Sequence, residues 1–136
     1  MFVLGFPLLL VPFAIYNMIA FLTPGVGWTS PAATVHMMSG QDWVLTWEDI
    51  LLAFSIFLLW VEIIKSTRMG TRGVMDHILA MALFVGMLVE FLLVERAATS
   101  TFFLLMSIAL VEVLAGFIVG MRSAQRQVEI EGPGQA

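Results

Sequence analysis

The chain contains no cysteine among its 136 residues. Disulfide bonds, thiolate metal sites, iron–sulfur clusters and covalently attached haem all require cysteine sulfur. The sequence therefore excludes these sites, and it also excludes the four-helix membrane oxidoreductases that work through a cysteine pair.

Charged residues are also scarce, at 12% of the chain, whereas a soluble domain has about a quarter. Only six residues are Lys or Arg, and the formal net charge is −4. This balance predicts no nucleic-acid partner, because such partners require a basic surface. It also argues against a polybasic contact with anionic lipid.

What the chain has in abundance is apolar surface. Hydrophobic residues make up 60% of it, and its mean hydropathy is +1.00. A chain of this size cannot bury so much apolar surface away from water. We therefore predict an all-α integral membrane protein, a single membrane domain whose solvent is the lipid bilayer.

Four stretches of the sequence predict a four-transmembrane-helix bundle, since a spanning helix needs about 20 mainly apolar residues. The stretches are approximately 2–22, 49–64, 74–94 and 101–121.

The first stretch has no basic residues before its apolar run and no convincing cleavage site after it, so we expect it to be retained. Pro7 and Pro12 predict that its helix starts late or is kinked. In the second, the apolar side chains, at about −0.3 to −0.6 kcal/mol each, outweigh the acid Glu62 at about +3 kcal/mol.

Basic residues set the predicted orientation, because cytoplasmic loops of membrane proteins are enriched in Lys and Arg. All of them except Arg96 fall between the second and third stretches or just after the fourth. These residues are Lys65, Arg68, Arg72, Arg122 and Arg126. The pattern predicts a multi-pass protein of a bacterial inner membrane, with both termini cytoplasmic, an outer loop at 23–46 and a cytoplasmic tail at 122–136. The part of this tail after Arg126 is expected to be frayed.

The outer loop contains His36, Met37 and Met38, whose imidazole and thioether groups suit copper. An ordinary interfacial loop is the simpler interpretation, so we predict no metal and no cofactor. A haem held by both histidines of a single copy is excluded, because His36 and His77 fall on opposite sides of the predicted membrane.

Acids within membrane spans are rare and commonly mark ion pathways, proton relays or partner contacts. Glu62, Glu112 and His77 fall in the cytoplasmic half, where they converge if their helix faces point inward. Glu112 is the strongest candidate, because no basic residue is near it in the sequence. The alternatives are a Glu62–Lys65 ion pair at the interface, a neutral Glu112 making one hydrogen bond, and an Asp76–His77 helix start.

A second group of acids is predicted at the outer end. Its members are Glu48, Asp49, Glu90 and Glu95, with Arg96 as the counter-charge. Glu90 is a possible ion or partner contact; the alternative is an outer ion pair of Glu90 and Glu95 with Arg96.

Small residues predict close helix packing. Gly116 and Gly120 are four residues apart, as in the packing motif of membrane helices, and Gly86 follows Ala82 in the same way. These glycines are expected to pack within the chain or between copies.

The stretch Trp47-Glu48-Asp49, the pair Arg72-Gly73 and the nearby His77 loosely resemble the small membrane subunit of tripartite periplasmic transporters. The resemblance covers a minor part of the chain. The first helix and the segment after the histidine depart from it. It implies four helices and no catalytic site.

Together these patterns favour an accessory or structural subunit of a membrane complex, such as a transporter, that contacts copies of itself or a larger membrane partner. The alternative is an oligomeric small transporter or channel, linked to protons or cations, that uses Glu112 and Glu62 with His77 as a relay. A third hypothesis is a membrane enzyme using the outer acids and His36 with a metal. No catalytic motif supports it, so we expect no enzymatic activity.

Overall fold

The computed structural model describes the backbone of residues 6–66 and 71–130 and the side chains of 6–65, 74–119 and 121. Four helices and a β-hairpin follow one another along the described chain. The elements are α1 (Leu10–Leu22), β1 (Pro31–His36), β2 (Asp42–Thr46), α2 (Trp47–Ser66), α3 (Thr71–Leu93) and α4 (Ser100–Ile130). A 3-10 turn, Glu95–Ala97, connects α3 to α4. The prediction of a mostly helical chain is confirmed.

The first helix starts late, as the prolines predicted. α1 begins only at Leu10, and Pro12 lies in its first turn, where backbone amides have no partner within the helix. The missing N–H of proline therefore costs little there. With 13 residues, α1 is shorter than the roughly 20 residues that a spanning helix needs. Residues 2–5 of the predicted span lie outside the described residues.

The outer loop, for which the sequence analysis predicted no strands, contains an antiparallel hairpin. Val35 pairs with Trp43, and His36 pairs with Asp42. Gly40 makes the turn with a φ of 89°, which only glycine adopts without strain. The β-branched and aromatic residues on either side of this Gly-containing turn are the signal that predicts such a hairpin.

The start of α2 is fixed by reciprocal hydrogen bonds. The Thr46 hydroxyl accepts from the Asp49 N–H at 3.2 Å, and the Asp49 carboxylate accepts from the Thr46 N–H at 3.0 Å. This capping arrangement satisfies amide groups that a helix N-terminus leaves free. Asp49, expected in an outer group of acids, is thus used by its own helix.

Two described helices are long and apolar enough to cross a membrane, over Val74–Leu93 in α3 and Ser100–Val119 in α4. The four-span bundle is not established by the same criteria. α1 is too short, and α2 carries charged residues near both of its ends. α4 continues to Ile130, so residues 127–130, which were expected to be frayed, are helical.

The bundle is built around α4, which packs against both α2 and α3. α1 contributes Tyr16 to a core that includes Phe102, Leu105 and Met87, all fully buried. Polar side chains also lie inside this bundle. The buried ones are Ser55, Glu62, Lys65, Thr101 and Glu112. Large apolar side chains cover its outside instead, with Trp60 59% and Phe117 56% exposed.

Candidate functional site

A buried ion pair joins the start of the chain to α2. Glu62 and Lys65 lie one turn apart, with 3.1 Å between Oε1 and Nζ, and only 5% and 7% of their side chains are exposed. Glu62 also accepts the Leu8 N–H at 2.6 Å, while Lys65 donates to the Phe6 carbonyl at 2.8 Å. The pair that the sequence offered as an interfacial alternative therefore forms inside the bundle, where it holds the segment before α1.

Glu112 approaches this pair from α4. Its carboxyl group is within hydrogen-bonding reach of Glu62 and experiences the charges of Lys65 and Asp76. Glu112 is 6% exposed, and its Oε2 has no hydrogen-bond partner among the described residues. The fold thus brings Glu62 and Glu112 together from two different helices. We call Glu62, Lys65, Asp76 and Glu112 the acidic cluster.

His77 lies beside the acidic cluster. A Cβ on Gly116, one turn along α4 from Glu112, would stand 3.1 Å from the His77 Nδ1. Glycine is what permits this close approach of α3 to α4. The Nδ1 is buried and has no hydrogen-bond partner in the described part of the chain. Because α3 begins at Thr71, the interpretation of His77 as a helix start is wrong.

Gly86, which was also predicted for packing, differs from Gly116. Gly86 is exposed on α3, and no atom lies within 4 Å of where its Cβ would stand. It therefore contributes nothing to packing within the described chain. The surroundings of Gly120 lie outside the described residues.

A second polar group joins α1 to the beginning of α4. The Tyr16 hydroxyl donates to the Arg96 carbonyl at 2.8 Å and lies 2.7 Å from the Thr99 Oγ1. Because the tyrosine proton goes to the carbonyl, the Thr99 hydroxyl donates to Tyr16. The tyrosine ring stacks on Trp28 at 4.9 Å and meets the edge of Phe102 at 5.0 Å. We call these five residues the tyrosine cluster.

Glu90 forms a hydrogen bond with a side chain of α1 rather than an ion pair with a basic residue. It accepts a hydrogen bond from the Asn17 side chain at 3.3 Å. Arg96 donates instead to the Ala20 carbonyl at 2.6 Å. The outer ion pair of Glu90 and Glu95 with Arg96 is therefore wrong, since neither carboxylate pairs with that guanidinium among the described residues.

Sequence reasoning missed the contributions of Tyr16 and Asn17. Both stand in an otherwise apolar helix, and buried polar groups nearly always find a hydrogen-bond partner. That pattern was the available signal. The sequence held no comparable signal for the backbone groups of Phe6 and Leu8.

The histidine of the outer loop is paired across the hairpin. His36 Nδ1 lies 2.6 Å from Asp42 Oδ1, and the two side chains are 73% and 64% exposed. Within 6–65, 74–119 and 121, no group of three or more His, Cys, Asp and Glu side chains could hold a metal ion. The copper alternative at His36, Met37 and Met38, which uses thioether groups, stays a prediction.

No family model, curated protein or solved structure matches the chain. The loose resemblance to the small subunit of tripartite periplasmic transporters consequently rests on its few residues alone.

Proposed function

We propose that the chain is a multi-pass protein of a bacterial inner membrane, with both termini cytoplasmic, that acts as an accessory or structural subunit of a membrane assembly. The observation that carries the proposal is the inverted distribution of side chains. Charged and hydroxyl groups lie inside the bundle, whereas large apolar groups cover its outer faces. Such a surface is costly in water, at about 25 cal/mol per Å² of apolar area, and is favourable in lipid.

α2 supports a membrane location despite its charges. Glu62 and Lys65 are buried against each other, and Asp49 is bonded at the helix start. Lipid would therefore meet mainly apolar groups such as Phe57 and Trp60, both more than half exposed. A buried, paired acid does not carry the full cost of an acid in lipid.

The interior supports a structural role. Glu62, Lys65, Tyr16 and Asn17 all form bonds between separate elements of the chain. These groups are occupied in holding helices together rather than open to a substrate. A subunit that contributes shape and contacts requires nothing more.

The test is the composition of the assembly. The tagged protein would be extracted in mild detergent, sized by light scattering, and its co-purifying proteins identified by mass spectrometry. We expect additional copies or a larger membrane protein in fixed stoichiometry. A monomer that brings no partner would contradict the proposal.

A pair of matched variants locates the contact. Gly86→Leu adds bulk where the described chain has open space, and Ala53→Leu does the same on exposed α2. If α3 carries the contact, Gly86→Leu weakens association about tenfold, the scale of an overpacked interface, while Ala53→Leu does not. Equal behaviour of the two variants would place the contact away from Gly86. Unchanged far-UV circular dichroism serves as the folding control.

A second candidate is an oligomeric transporter or channel linked to protons or cations. It is favoured by Glu112, whose buried Oε2 has no described partner. Intramembrane acids of this kind commonly belong to ion or proton pathways. Proton flux into liposomes is expected to fall in Glu112→Gln, and flux that ignores this substitution would contradict the second candidate.

A further inference from the structure

The acidic cluster holds more negative than positive charge in a place that excludes water. α2 contributes Glu62 and Lys65, α4 contributes Glu112, and Asp76 of α3 acts on Glu112 as a further negative charge. The described segment before α1 contacts the cluster through the backbone N–H of Leu8 and the carbonyl of Phe6, which carry no charge. Among the described side chains, Lys65 is thus the one cation that acts on Glu112.

Lys65 already has two hydrogen-bond acceptors. Its ammonium group donates to Glu62 and to the Phe6 carbonyl. Glu62 in turn accepts from both Lys65 and the Leu8 N–H. A charged Glu112 would therefore be a second carboxylate beside a pair that is already neutral overall. Among the described residues, its Oε2 would have no hydrogen-bond donor, and the cation that acts on it, Lys65, is already paired with Glu62. A buried charge without a partner of its own is strongly disfavoured.

We propose that Glu62 and Glu112 together bind one proton, held between their carboxyl groups, and that the proton is the ligand of the acidic cluster. Glu112 carries the proton and donates it in a hydrogen bond to the Glu62 carboxylate, which stays paired with Lys65. Glu62, Lys65 and Glu112 are then neutral together, so the cluster is one charge less negative. Glu112 Oε2 belongs to an uncharged carboxyl, for which a missing partner costs less. This inference deepens the second candidate function by naming its ligand, and rests on that candidate only for the use made of the proton.

The geometry favours a proton over a metal cation. The ammonium group of Lys65 already occupies the cationic position next to Glu62. Hard cations such as Ca²⁺ take about six to eight oxygen ligands. The described side chains form no group of three acids or histidines able to hold a metal ion.

The experiment is infrared spectroscopy of the full chain in lipid bilayers. A protonated carboxyl group has a C=O stretching band that an ionised carboxylate lacks. We expect this band in the wild-type protein at neutral pH. It should persist when sodium in the buffer is replaced by choline.

Two single variants test whether the carboxyl band comes from the pair Glu62 and Glu112. Glu112→Gln removes the group that carries the proton. Glu62→Gln leaves Glu112 as the partner of Lys65, so Glu112 ionises. Both are therefore expected to lose the band, whereas Glu95→Gln, at an exposed position outside the cluster, retains it. Circular dichroism and elution volume show whether each variant is folded.

Three results would overturn the proposal: no carboxyl band in the wild type at neutral pH, a band that survives Glu62→Gln, or a band that appears only without sodium. The first of these needs no variant, so misfolding cannot obscure it. Proton occupancy is measured at equilibrium, without transport. A band that behaves as expected in a protein without flux would refute the transporter and leave the proton site standing.

Discussion

The acidic cluster and the tyrosine cluster perform the same mechanical task with different chemistry. Each joins α1, the shortest helix, to the rest of the bundle: Glu62 and Lys65 hold the segment before α1, and Tyr16 holds its middle. In the tyrosine cluster, two hydroxyl groups, one carbonyl and stacked rings suffice. Neutral groups can therefore attach this helix, so the additional acid Glu112 in the other cluster is not explained by attachment.

The largest expected effect follows from removing the cation of the acidic cluster. Lys65→Met leaves Glu62 buried with no counter-charge, and breaking a buried ion pair in this way costs about 3–5 kcal/mol. The free energy of unfolding, measured by titration with a denaturing detergent, is expected to fall by that amount. The N-terminal segment should also become more accessible to protease, because Lys65 no longer bonds to the Phe6 carbonyl.

The double variant Glu62→Gln with Lys65→Met supplies the control. It removes both charges, and apolar or neutral replacement of a whole buried pair is often nearly neutral for stability. We expect it to recover most of the stability that Lys65→Met loses. If the double variant is as unstable as the single one, the packing of the lysine side chain matters more than its charge.

The sequence predicted the helical content, because it follows from hydrophobic length. Helical rise placed Glu62 and Glu112 at similar depths, but their contact also required both helix faces to point inward, which the sequence left open. Sequence reasoning did not predict the hairpin, although β-branched and aromatic residues flank the Gly-containing turn. It could not predict that the backbone of Phe6 and Leu8 would complete the acidic cluster. Backbone groups are the same in every residue, so their partners depend on the tertiary fold alone.

The prediction of an outer ion pair was wrong because it, too, left backbone groups out of account. Charge counting paired Glu90 with Arg96, but the fold gives Glu90 an amide from Asn17 and gives Arg96 a backbone carbonyl from Ala20. An arginine at a helix connection is well placed to bond to the free carbonyls at the end of another helix. Sequence reasoning that considers only charged side chains overlooks such carbonyl partners.

A smaller effect is expected in the tyrosine cluster. Tyr16→Phe keeps the ring that stacks on Trp28 but leaves the Arg96 carbonyl and the Thr99 hydroxyl without this partner. The cost of leaving such a buried group unpaired is about 1–3 kcal/mol. The same unfolding titration measures it. Combining Tyr16→Phe with Thr99→Val should cost less than the sum of the two single variants, because the two hydroxyls share one bond. Strict additivity would contradict the hydrogen bond.

The smallest change in stability is expected at the hairpin. It shows whether the distance between two charged groups or their burial decides how much an ion pair contributes. His36 and Asp42 lie 2.6 Å apart, closer than the 3.1 Å between Glu62 and Lys65, yet both hairpin side chains are more than half exposed. Water and salt screen such a pair, so its contribution is about 0–1 kcal/mol. Asp42→Asn is therefore expected to leave the unfolding midpoint nearly unchanged, under the conditions in which Lys65→Met shifts it strongly. A loss from Asp42→Asn comparable to that from Lys65→Met would mean that the hairpin is buried against a lipid surface or a partner, and that its exposure in the single chain does not hold in the assembly.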